Sequence, residues 1–455
     1  MTGTMTRSTP PTKSTGVRAG RYRRYGRRLA TVGLAAALVT TAGGVLATRS
    51  PSPRPPATQT TVSNPDRLVA AIADAQRRLR ALPGDYPTWA ALGSAYTEQA
   101  RITADPSYYP KAEGALRRSL RLRPTDNPAA LTGLGALANA RHDFAGARVW
   151  AQRALRTDPY SASAYGVLTD ALTQLGQADA ATTAAQHMLD LRPGLAAFTR
   201  ASYDLEQRGR LADAESLMRG ALRAATDPAD LAFCRYQLGQ LAWQDGRLAD
   251  ADREYRAGLA ADPSYLPLRA GRAAVAAATG SVSAALTDYA SLVAGYPSPT
   301  YLLQYADLLR AAGRTSAAAS QLDLADAAVR LFAANGGADD LTAAEVALAR
   351  GRGAEAVTLA RREWKRRQHA DVADVLAWAL HASGKDREAL GYARRATAHG
   401  APYARYAYHL GVIEAALGDT ASARRDLTRA LRTNAHFSPV DSPLAAAVLA
   451  RLGTQ

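Results

Sequence analysis

Small and apolar positions recur along most of this chain in a frame of about 34 residues, each frame holding two segments of helical period. In the stretch from Asp230 to Pro263, Leu238-Gly239 fall mid-segment and Gly246 closes that segment. Leu248 and Ala251 open the next, and Tyr255, Gly258 and Leu259 lead to Asp262-Pro263. The same frame gives Leu134-Gly135, Phe144, Ala147, Ala154-Leu155 and Pro159, then Leu168, Gly176, Ala181, Leu189 and Pro193, and later Leu410-Gly411, Gly418, Ala423 and Ala430-Leu431. Frames start near residues 86, 128, 162, 195, 232, 266, 299, 337, 370 and 404; most spacings are 33 to 37, and the first, 42, implies an insertion around 102–109.

Each recurring residue has a physical task. Gly or Ala at the eighth position (Gly93, Gly135, Gly239, Ala273, Gly411) and the alanines facing it (Ala112, Ala147, Ala251, Ala423) let two helices approach at the short end of the usual 8–10 Å spacing. Glycines such as Gly176, Gly209 and Gly246 suit the left-handed residue that ends a helix. Pro124, Pro159, Pro193, Pro263 and Pro297 hold the residue before them extended. The frame weakens in places. Repeats near 299 and 337 lack the Leu-Gly pair, and the second-helix alanine is not kept at Ser119 and Glu363, which predicts bent or loosely packed helices there.

These residues resemble the tetratricopeptide repeat, a helix–turn–helix unit, over roughly residues 65–437. The resemblance implies an all-α, right-handed α-solenoid of about ten repeats. Asp66 to Leu82 reads as a lone leading helix, and 438–455 as a C-terminal capping segment with its helix at Ser442 to Leu452. It further implies a binding scaffold for protein or peptide partners, with the first helix of each repeat lining a concave groove. The positions so carried over include Asn139, Asp170, Tyr203, Glu206, Phe233, Tyr236, Gln240, Trp243, Asp371, Trp378, His381, Arg405 and Tyr408. The repeat from 232 stands out, because aromatics and amides alternate on one face; Phe233 and Trp243 either line the groove or pack between helices. Thr132, Gly166 and Tyr236 stand where the family's carboxylate clamp needs a basic residue, so capture of a peptide C-terminus is disfavoured.

The first 60 residues are a different object. They carry ten basic residues and no acid. Leu29 to Thr48 is then twenty residues without a charge, long enough to span a bilayer core of ~30 Å. Its four Leu and three Val supply about −2 to −4 kcal/mol of insertion energy, partly offset by three Gly and four Thr. Residues 1–28 thus read as a basic cytoplasmic leader, 29–48 as a transmembrane anchor and 49–64 as a Pro/Ser-rich linker. The alternative is a signal peptide cleaved after Val45-Leu46-Ala47, releasing a secreted binding protein. Arg23-Arg24 and Arg27-Arg28 hint at twin-arginine export, but the residues after them fit poorly. Eight basic residues before the span and two after it place the N-terminus in the cytoplasm and the repeats outside.

That leader also accounts for most of the charge. The chain carries 56 Lys and Arg against 40 acids, +16 overall, but ten of the basic residues precede residue 61, leaving +6 for the rest. No nucleic-acid partner is expected. The run Arg361-Arg362-Glu363-Trp364-Lys365-Arg366-Arg367 reads as a solvated helix face. Cys234, the only cysteine, precludes an internal disulfide and reads as a small buried thiol. No catalytic signature or phosphate loop is present, Gly133-Leu134-Gly135 being repeat packing, and the seven histidines are scattered; no catalytic, cofactor or metal role is expected. An accessory subunit acting on an enzyme encoded elsewhere is the other reading of such an array.

Overall fold

The computed structural model describes residues 64–453, with side chains from Arg67 onward. The leader, the apolar stretch Leu29–Thr48 and most of the linker lie outside the described residues. No helix among those described is long and apolar enough to cross a membrane.

One helix, α1 (Asn64–Ala81), precedes ten hairpins: α2 (Tyr86–Thr103) with α3 (Tyr108–Leu122), α4 (Pro128–Ala140) with α5 (Phe144–Thr157), α6 (Ala162–Gln174) with α7 (Ala178–Leu191), α8 (Leu195–Gln207) with α9 (Leu211–Ala224), and α10 (Pro228–Gln244) with α11 (Leu248–Ala261). Then follow α12 (Leu266–Ala278) with α13 (Val282–Gly295), α14 (Pro299–Ala311) with α15 (Thr315–Ala334), α16 (Asp340–Ala349) with α17 (Gly353–Arg366), α18 (Ala370–Ala382) with α19 (Asp386–Thr397), and α20 (Ala404–Ala416) with α21 (Thr420–Thr433). A last helix, α22 (Asp441–Gly453), closes the array. Eight of the ten frame starts coincide with the first residue of a hairpin; α10 begins earlier, at Pro228 after its Asp227 N-cap, and α16 later, at Asp340. The expected insertion lengthens α2, which runs 18 residues and stops at Ala104 in the left-handed region (φ 52°).

Side-chain caps start several helices. Asp85, Asn127, Asp143 and Asp419 accept from the N–H three residues on, and Pro stands in the first turn of α2, α4, α10, α12 and α14, where its missing N–H costs nothing. Within a hairpin the helices meet at glycine or alanine. At Gly239 an added Cβ would lie 2.2 Å from the Tyr255 ring, so the side chain of Tyr255 fills the space a larger residue needs. Between neighbouring hairpins Gly133 and Gly135 of α4 make the same kind of room, for Leu116 of α3 and Val167 of α6.

Two expectations are corrected. Ser119 and Glu363 neither bend nor loosen their helices; both are almost fully buried and bonded. Ser119 donates to the Tyr86 carbonyl (2.7 Å) and accepts from Asn127 (3.0 Å), while Glu363 accepts from Arg366 and Arg367. A satisfied polar group can replace the small residue at that contact. Nor is the basic run a solvated face throughout. Arg361 pairs with Glu388, Arg362 and Arg366 with Asp340, and Arg367 is buried over the Phe144 ring.

Most successive first helices pack on one another, α8 with α10 and α12 with α14 being the exceptions, while the second helices fan outward, so the first helices line the inner wall of a superhelix. The superhelix closes on itself. The Tyr296 hydroxyl donates to the Arg101 carbonyl (3.2 Å), the Ala338 N–H to the Arg141 carbonyl (3.0 Å), Arg367 to Gln174, Gln207 to the Tyr403 hydroxyl (2.6 Å) and Asn434 to the Trp243 carbonyl (2.8 Å). These partners stand 191 to 197 residues apart. Hairpin turns of one coil therefore meet the junctions between hairpins of the next, five and a half hairpins on. This contact between coils is a seam that the local frame does not encode.

Candidate functional site

A cavity of about 590 Å³ opens on the inner wall where the two coils face each other. Four consecutive first helices supply its side chains: Asn139 from α4, Asp170 and Gln174 from α6, Arg200, Tyr203 and Glu206 from α8, and Phe233 and Gln237 from α10. Phe144 lines it from α5, and the second coil adds Arg367 and Asp371. Helical spacing brings these together: Tyr203 and Glu206 are three apart on α8, as are Asp170 and Thr173 on α6, so each pair shares a face.

Most charges here are answered locally. Arg200 holds Asp170 through two nitrogens (2.8 and 2.7 Å) and also donates to the Gly166 and Ala196 carbonyls. Arg367 is engaged by Glu363 and Gln174. Burial favours the neutral form of Asp371, but His369, Arg405 and Tyr406 overcome it and hold the carboxyl well below the usual range. Glu206 differs: the Tyr403 hydroxyl donates to it (2.8 Å), and burial, with Asp371 nearby, pushes it up to about 7. Burial also raises the Tyr203 phenol. The threonine hydroxyls at the wall bond to their own helices, Thr169 to the Tyr165 carbonyl (2.8 Å) and Thr199 to that of Leu195 (2.7 Å). What remains toward the cavity is an aromatic, amide and carboxylate surface, suited to binding.

Further along the wall, Arg405 of α20 faces three carboxylates, Glu345 (3.5 Å), Asp371 (3.6 Å) and Asp374 (3.2 Å). Burial pushes Glu345 up to about 7 despite that arginine.

Of the groove residues expected from the sequence, Asn139, Asp170 and Tyr203 line the cavity, with Glu206, Phe233 and Asp371. The others are placed elsewhere. Tyr236 leans on Tyr255 and Tyr265 (ring centroids 6.4 and 6.2 Å) and is bonded by Gln240, leaving Phe233, Gln237 and Leu241 as the α10 residues at the cavity. Trp243 packs into the same cluster, and its carbonyl joins the seam. Trp378 is stacked between His381 and His409 (4.9 and 4.2 Å), and His381 pairs with Asp386. Tyr408, 3% exposed, packs against Phe437 and Trp378 and is a core residue. Arg200, Gln237 and Arg367 were not anticipated. Gln237 sits one residue beyond the expected Tyr236 and Arg200 three before the expected Tyr203, while Arg367 arrives from the next coil, for which the sequence carries no signal. Cys234 is wholly buried, and burial pushes its thiol up to about 12.

No family model matches the chain, and no curated protein matches it. Among solved structures it is similar to the human IFIT1 dimer with m7Gppp-AAAA (15% identity, covering 72% of this chain and 76% of that one, TM-score 0.47). It is also similar to yeast Tom70 (14% identity, 78% and 86%, TM-score 0.40) and to a tetratricopeptide repeat protein from Parabacteroides merdae ATCC 43184 (19% identity, 57% and 99%, TM-score 0.34). None of the three reaches a TM-score of 0.5, and this chain's own geometry carries its assignment.

Proposed function

We propose that the chain is a scaffold of tetratricopeptide type that holds a segment of another protein against its inner wall, without covalent chemistry of its own. The observation that carries this reading is the 590 Å³ cavity, where four consecutive first helices present aromatic rings, amides and carboxylates on one concave surface. Aromatic side chains at such a surface supply much of the energy of peptide contacts. The apolar stretch Leu29–Thr48 and the basic residues before it support display outside the cytoplasmic membrane, anchored by residues 29–48.

Photo-crosslinking in cells tests the inner wall. A photoreactive residue at Gln237, in the cavity, is expected to capture protein, whereas one at the exposed Arg256 of the outer helix α11 is not. Capture only from Arg256 moves binding to the outer face and ends the reading. Fractionation tests display: full-length chain is expected with membranes, and a product beginning near Thr48 in the medium replaces the anchor with a cleaved signal.

A further inference from the structure

The charges around the cavity pair off one by one until a single carboxylate is left. Asp170 belongs to Arg200, Glu363 to Arg367, and Asp371 to Arg405 and His369. Glu206 has no basic side chain within ion-pair distance among the described residues. Its one bonded neighbour is a neutral phenol, Tyr403, which Gln207 in turn holds in place from the adjoining position of α8. The carboxyl is thus fixed in position from the second coil, yet its charge has no counterpart.

Its surroundings suit a cation. Tyr203 stands one helical turn before Glu206 on the same face of α8, and Phe233 lines the same cavity from α10. Aromatic faces attract ammonium and guanidinium groups, and the attraction grows where water is partly excluded. The two guanidiniums that also line the cavity are fully engaged with Asp170, Glu363, Gln174 and backbone carbonyls, so they neither answer Glu206 nor stand free to hold an anion. Burial raises the Glu206 carboxyl to about 7, with Asp371 adding to the rise and the Tyr403 bond offsetting only part of it.

We propose that the first-coil cavity is a seat for a cationic side chain, lysine above all, of the bound peptide, with Glu206 as its counter-charge and Tyr203 and Phe233 as its aromatic walls. This rests on the reading of the inner wall as a peptide-binding surface and supplies the chemistry that surface selects.

The test uses the full chain in detergent and two capped pentapeptides, Ac-Ala-Ala-Lys-Ala-Ala-NH2 and its norleucine counterpart, which differ only in the ammonium group. The lysine peptide is expected to bind at least about tenfold more tightly, and Glu206→Gln, which keeps the bond to Tyr403, to erase the difference. Tyr203→Leu is expected to weaken the lysine peptide more than the norleucine one. Thermal unfolding of both variants confirms that the array is intact. Equal binding of the two peptides, binding of neither, or a lysine preference that survives Glu206→Gln overturns the proposal. The crosslink from Gln237 separates the two levels: capture there with no lysine preference removes the cation seat alone, and no capture removes the inner-wall reading beneath it.

Discussion

At the scale of single residues, glycines that look alike in sequence do different work. Gly209 and Gly384 each end the first helix of a hairpin in the left-handed region, at φ 70° in both. An added Cβ at Gly384 meets nothing within 4 Å, whereas one at Gly209 would lie 2.4 Å from the Gly400 carbonyl oxygen across the seam; Gly176 and Gly246 face Gln368 and Thr433 the same way. Gly384→Ala is expected to cost about 1 kcal/mol, and Gly209→Ala about 1–3 kcal/mol more, measured by urea denaturation. Titration belongs at this scale too. Asp230 is 3% exposed, its Oδ1 lacks a hydrogen-bond partner, and burial pushes the carboxyl up to about 7; buried Glu414 reaches about 7 likewise. A raised carboxyl stays neutral in the fold while its unfolded counterpart ionises near pH 4, so stability is full below that point and is lost as pH rises through 7. Carboxyls held low, such as Glu113 bonded by Arg141, withdraw their contribution only as pH falls below the ordinary carboxylate range. Melting temperature is therefore expected to be higher at pH 5.5 than at pH 8, and Asp230→Asn to raise stability at pH 8 by about 1–3 kcal/mol while changing little at pH 5.

At the scale of helices, the hairpin frame was legible because its rules act within some 34 residues: small residues at the crossing, glycine at the stop, proline or an N-cap at the start. Where the frame failed, a different local solution had replaced it. Ser119 and Glu363 supply hydrogen bonds where alanine supplies space, a substitution that a size pattern cannot show. Helix α15 is the other departure, with 20 residues against 14 in most second helices. Its added length carries Phe332 to the first coil, where the ring meets Tyr109 edge-on (6.1 Å) and His142 (5.2 Å). Phe332→Ala is expected to cost about 1–3 kcal/mol, since the ring is only half-buried, and to raise hydrogen exchange at the turn after α4 while sparing the α18–α19 hairpin. The candidate site was legible in part for the same reason. Asn139, Asp170, Tyr203 and Glu206 follow from the groove positions that the repeat resemblance implies, but Arg367 and Tyr403 come from a coil away.

At the scale of the molecule, the seam changes what kind of solenoid this is. An open array is nearly one-dimensional, each repeat touching only its neighbours, and can unfold piece by piece from its ends. Here bonds nearly two hundred residues apart tie the coils together, so losing the second coil exposes the flank of the first. Denaturant unfolding is expected to be a single steep transition for the native chain. In a protein carrying both Gly209→Ala and Phe332→Ala it is expected to split in two, with a larger radius of gyration by small-angle scattering before the first step. A single unchanged transition in that variant would mean that the seam contributes little.

Coils tied at each hairpin junction leave little room for a strand to enter from the side. A polypeptide bound at Glu206 would then thread between the coils or enter as their contacts part. Arrival and departure are then governed by the ends of the visitor as much as by its fit: a slim free tail slides in, and a folded domain at each end locks the strand outside or traps it within.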